Sequence, residues 1–101
     1  MMADDRIAAR MAVLRAKFVA ELADDRAALR RHRTAALDKD ELGAILHRLA
    51  GRGGTFGFTR ISELAGRLEA LCAEDAIEGS EAARLFDALD AAMTSLVESE
   101  A

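Results

Sequence analysis

The chain has 101 residues with no proline, tryptophan or tyrosine, and half of them are apolar, which suits one modest helical domain with one core and excludes a disordered composition. The net charge of −4 comes from interleaved acids and bases, which argues against a general nucleic-acid binder, and the single cysteine, Cys72, excludes an internal disulfide framework or a multi-cysteine zinc site. No apolar run is long enough to cross a bilayer and the N-terminal stretch lacks a signal-type apolar region, so the expectation is a soluble, cytoplasmic protein that does not engage membranes.

Residues 4–32 read as helix. Asp4 and Asp5 stand where first-turn acids belong, and Ile7, Met11, Leu14, Phe18, Leu22 and Leu29 recur at spacings of three, four and seven. The segment is either one helix or two with a bend near residues 23–25. Its end is basic, with Arg30, Arg31 and Arg33. His32 lies among them without a ligand-type partner at helical spacing and reads as a solvated surface histidine. Residues 33–37 form the first connection. Asp38 and Glu41 then make a capping-box arrangement that opens a central helix, which Gly57 and Phe58 close.

Thr59 reads as the next N-cap, with Ser62 the alternative. Residues 60–74 carry Ile61, Leu64, Ala65, Leu68, Leu71 and Cys72 on one stripe, which makes Cys72 a core thiol. Gly79 punctuates the following polar stretch. Ser80 is expected to cap a last helix over residues 81–98, in which Met93 fills the core. No strand-like alternation, internal repeat or linker interrupts this order. Short connections between amphipathic segments predict an all-α fold, an antiparallel up-and-down four-helix bundle with or without an extra bent N-terminal helix, forming one domain over residues 1–101. One chain can then close its own core, which favours a monomer.

The central helix is unusual around its one histidine, His47. The positions three, four and seven away are Gly43, Ala44, Ala50, Gly51 and Gly54, all glycine or alanine. Leu42, Ile45, Leu46, Leu49 and Phe56 cluster on another arc. Glycine inside a helix costs about 1 kcal/mol against alanine, so the run is not a choice for helix stability. Either a large partner must approach the imidazole closely, or the glycines end the helix early as a loop. Phe56, in phase with Leu42 and Leu49, favours continuation.

Other chemistries fit poorly. The run Gly51–Gly57 is not a nucleotide loop, because no lysine with serine or threonine follows and no strand precedes it. Without an ATP site the chain is not a self-sufficient kinase. A metal site at His47 lacks a second ligand one turn away, and no serine has the setting of a hydrolase nucleophile. An incidental exposed histidine on a plain bundle is the plainest alternative.

The run His47-x-Leu49-x-Gly51 followed by Gly57 resembles the H-x-L-K-G-x-x-x-x-x-G signature of histidine phosphotransfer (HPt) domains, and the helix order on either side also fits. The resemblance implies a four-helix bundle in two-component signal transduction, with His47 accepting a phosphoryl group and passing it to or from a receiver-domain aspartate. It implies a response-regulator receiver domain or a sensor histidine kinase as partner, no cofactor of its own, and magnesium in the receiver domain. Gly51 would leave room for the phosphoryl group, Gly43 and Ala44 would keep the docking face flat, and Ala50 and Gly54 would belong to the same face. The family lysine is replaced by Ala50. Arg48 and Arg52 are the candidates for its charge, Arg60 is a weaker one, and Arg10, Lys17 and Arg67 are candidates for the docking face. The replacement also leaves room for a non-catalytic adaptor that binds a receiver or kinase domain without transfer.

Overall fold

Asp38 begins the helix on which the site is built. Its side chain accepts from Glu41 N at 3.1 Å, satisfying one of the orphan donors of the first turn. In the computed structural model, which describes residues 2–34 and 38–100, the chain forms α1 (Met2–Thr34), α2 (Lys39–Thr55), α3 (Thr59–Ala73) and α4 (Ser80–Glu100). No strand occurs among the described residues, and no helix is long and apolar enough to cross a membrane.

The helices form a closed ring in which α1 adjoins α2 and α4, and α3 adjoins α2 and α4. Cross-helix pairs fix the antiparallel order. Arg15 meets Glu100 while Arg33 meets Asp87, Arg52 meets Glu21 while His32 faces Glu41, and His47 meets Glu69. Leu22, Leu42, Leu46, Leu49, Leu68, Leu89 and Met93 are fully buried at the centre, each worth roughly 2 kcal/mol by burial. Cys72 belongs to the same core.

Several boundaries differ from the sequence reading. α1 is one uninterrupted helix through residues 23–25 and includes Arg33 and Thr34; the rest of the expected first connection, residues 35–37, lies outside the described residues. Phe58, not Thr59, is the N-cap of α3 and makes no side-chain cap bond. The close α2–α3 turn sets this geometry, with Phe58 N donating to Gly53 O at 2.7 Å and Ser62 N to Phe58 O at 3.0 Å. Ser62 instead donates its hydroxyl to Ala50 O at 2.7 Å. Ser80 is the first residue of α4 rather than its cap, because Ala83 N donates to Gly79 O. His32 is not a freely solvated histidine. Its side chain is 10% exposed and lies 3.8 Å from Glu41, because the end of α1 packs beside the start of α2.

The largest departure is at the other end of α1. Of the six stripe residues only Phe18, Leu22 and Leu29 are buried, whereas Ile7 is 63% exposed and Met11 and Leu14 are 38% exposed. α1 has 33 residues and therefore spans about 50 Å, which accounts for the longest dimension of the molecule, 50 Å against 25 and 19 Å. α4 ends beside Arg15, and among the described residues no helix accompanies α1 beyond it.

Candidate functional site

His47 sits in the middle of α2, and its side chain is 81% exposed. Its neighbours Leu46 and Leu49 are fully buried, so the periodicity that sends them inward sends the imidazole outward. Nδ1 lies 2.8 Å from Oε2 of Glu69 on α3. A carboxylate only accepts, so Nδ1 carries the hydrogen. In the neutral ring Nε2 then keeps its lone pair, on the side of the ring away from Glu69.

The small residues around the histidine divide into two groups. A Cβ built on Gly43 or Gly51 meets nothing within 4 Å, so the fold itself gives no packing reason for glycine there. Ala44 and Gly51 are exposed, and Gly43 and Ala50 are half-buried. By contrast, a Cβ at Gly53 meets Ser62 N at 3.2 Å, and one at Gly54 meets Ser62 Oγ at 3.3 Å. Those two glycines admit α3 against α2. Gly57 has φ +82° and makes the turn between the helices. Gly54, expected on the partner face, is thus exposed there but also serves the helix contact.

The arginines turn the other way. Arg48 donates to the buried carboxylate of Asp25 on α1, and Arg52 donates to Glu21 of α1 at 3.2 Å. Burial pushes the Asp25 carboxyl above its ordinary range, and the opposing pull of Arg48 does not overcome it. His47 is therefore tied to α3, while Arg48 and Arg52 are tied to α1. Arg60 lines the α3–α4 groove and Arg67 faces Glu81 of α4 at 3.8 Å, both away from the α1 side. Lys17 lines a groove between α1 and the end of α2, and Arg10 is exposed on α1. Among the described residues no group of three or more His, Cys, Asp or Glu side chains is placed to hold a metal ion.

Glu69 and Asp25 are the partners that the sequence reading missed. Register contains the signal. Counted from Phe58, the N-cap of α3, equal steps backward along α2 and forward along α3 pair position 47 with position 69.

The arrangement offers an exposed, oriented imidazole on a face stripped of side chains, which suits attack on an electrophile held by another molecule. A family model described as Hpt domain matches residues 13–99. No curated protein and no solved structure matches the chain.

Proposed function

This chain belongs to the Hpt domain family, and on that premise we propose that it is a cytoplasmic, monomeric phosphorelay intermediate whose His47 Nε2 exchanges a phosphoryl group with a receiver-domain aspartate. The observation that carries this reading is the anchored imidazole of His47, held at Nδ1 by Glu69 and exposed beside the open positions Gly43 and Gly51.

The chemistry follows from that geometry. The neutral imidazole carries one nitrogen with a free lone pair, and that nitrogen is the nucleophile. Nε2 attacks phosphorus in line with the leaving aspartate oxygen. The N–P bond forms as the P–O bond breaks, and the aspartate departs as a carboxylate. Positive charge that develops on the ring is met by Glu69 at Nδ1–H. The open surface at Gly43 and Gly51 lets the partner's pocket close over the ring. The divalent ion that would screen the phosphoryl oxygens is assigned, in this reading, to the receiver domain.

Charging purified protein with phosphoramidate tests the reading. One acid-labile phosphoryl group on the wild type and none on His47→Gln is the expected result. Equal labelling of both removes His47 as the special residue.

A second reading, an adaptor that docks without transfer, is favoured by one observation. Ala50 stands where the family pattern has lysine, and Arg48 and Arg52 are each engaged by a carboxylate of α1. An adaptor tolerates His47→Gln with binding intact and no loss of signalling output.

A further inference from the structure

We propose that the projecting N-terminal arm of α1 is a second part of the docking face and receives an acidic, apolar surface of the receiver domain that presents its aspartate to His47. The proposal rests on the phosphorelay reading above.

The arm is both apolar and basic on one side. Ile7, Met11 and Leu14 recur at helical spacing, and Arg6, Arg10, Val13 and Lys17 recur beside them. Asp5 falls on the far side and Asp4 at the edge. Arg6, Arg10 and Lys17 give this flank three basic side chains in a chain of net charge −4. Ile7, Met11, Val13 and Leu14 are all exposed. Two such arms paired antiparallel set basic flank against basic flank, which disfavours a second copy as occupant. An acidic surface with apolar side chains is complementary to this face.

The arm carries its basic flank toward the α1–α2 seam, beside the helix that bears the histidine. A groove of about 230 Å³ runs between α1 and the end of α2, with Leu14, Lys17 and Phe18 on one wall and Arg52, Thr55 and Phe56 on the other. Arg10 lies one turn before Leu14 and two before Lys17, on that flank. The root of the arm is pinned. The Phe18 ring lies 5.8 Å from those of Phe56 and Phe58, and the Arg15 guanidinium sits 4.8 Å over Phe58.

Reach decides which residues the partner meets. Asp25, paired with Arg48, marks the level of His47 on α1. At 1.5 Å per residue, Lys17 lies about 12 Å along the axis from that level, Leu14 about 16 Å and Met11 about 21 Å. A domain of 100–150 residues has a radius of roughly 17–19 Å. A receiver domain centred on His47 therefore covers Lys17 and Leu14 and reaches toward Arg10 and Met11. The family match begins at residue 13, so most of the arm lies outside what the family shares, which suits a contact that selects among receiver domains.

The test compares wild type with Arg10→Glu/Lys17→Glu and with Met11→Ser/Leu14→Ser, all exposed positions. Each protein is charged at His47 with phosphoramidate and then discharged by the receiver domain that, in a panel of purified receiver domains, accepts fastest from the wild type. Equal charging, a KM for the receiver domain raised about tenfold and a kcat within twofold are expected, with weaker salt dependence for the charge-reversed variant. Discharge at unchanged KM overturns this proposal alone. Failure of every receiver domain to discharge the wild type overturns the phosphorelay reading and this proposal with it. Unchanged KM with wild-type binding to phosphatidylglycerol vesicles that both variants lose assigns the arm to a lipid surface and also overturns it.

Discussion

Nδ1 of His47 and Oε2 of Glu69 lie 2.8 Å apart across the α2–α3 seam, and this one contact leaves Nε2 as the nitrogen turned away from α3. Replacing Glu69 by alanine removes the acceptor that holds the Nδ1–H tautomer. Phosphohistidine formation is expected to slow roughly tenfold, with Glu69→Gln intermediate because its amide oxygen still accepts. Nitrogen-15 shifts of the ring provide a check independent of rate, since Glu69→Ala should lose the Nδ1–H preference. Stability should change by less than about 1 kcal/mol, because the pair is exposed.

Gly51 and Gly53 separate partner access from helix packing. Gly51→Ala adds a Cβ into open space and should stabilise the fold by about 0.5–1 kcal/mol. Gly51→Leu should fold as well but lower transfer by an order of magnitude or more, since its side chain stands one turn from the imidazole. Gly53→Ala should lose about 1 kcal/mol, because its Cβ presses on the α3 backbone at Ser62. Thermal melts and transfer rates measured together distinguish the three.

Much of this fold was legible because it is local. The capping pair Asp38 and Glu41, the buried phase of Leu42, Leu46 and Leu49, and the exposed phase of His47 all follow from helical spacing. The identity of the helix partners is not local. Glu69 is 22 residues from His47, and Asp25 is 23 from Arg48, so each pairing depends on how the helices are registered. The stripe at Ile7, Met11 and Leu14 has the same periodicity as the buried part of α1. Spacing shows that a helix has an apolar face, but not that another helix is long enough to cover it.

Two aspartates give opposite pH signatures. Asp25 is raised above its ordinary value of 3.8 by burial, so the stability linked to its protonation is fully present below pH 3.8 and is lost as pH rises through its folded value. Asp90 is lowered below 3.8, chiefly by its hydrogen bond from Arg30, so its contribution is present above pH 3.8 and is lost as pH falls through its folded value. Asp25→Asn should therefore cost little at pH 7, whereas Asp90→Asn should cost roughly 0.5–1 kcal/mol there. Arg48→Ala leaves the buried carboxylate unpaired and should cost about 1–3 kcal/mol. Denaturant melts at pH 4 and pH 7 read all three.

Ala50 offers a gain-of-function test. It is half-buried at the edge of the α2–α3 seam, on the Glu69 side of His47 by helical count. Ala50→Lys places a flexible cation near the imidazole and should accelerate phosphoryl transfer several-fold. Reading the tautomer of His47 in the same variant shows whether the new ammonium draws Glu69 away, in which case the acceleration should be lost. Single-turnover rates and nitrogen-15 spectra together give the answer.

The most direct measurement is phosphoryl transfer between partners. Receiver domains charged on aspartate with acetyl phosphate and magnesium are mixed with wild type or His47→Gln, and both proteins are followed by intact mass. At least one receiver domain is expected to lose its phosphoryl group faster with the wild type, which gains one acid-labile phosphoryl group that the variant does not. Equal dephosphorylation with wild type and variant across the panel, with no phosphoryl group on this chain, would contradict the phosphorelay reading.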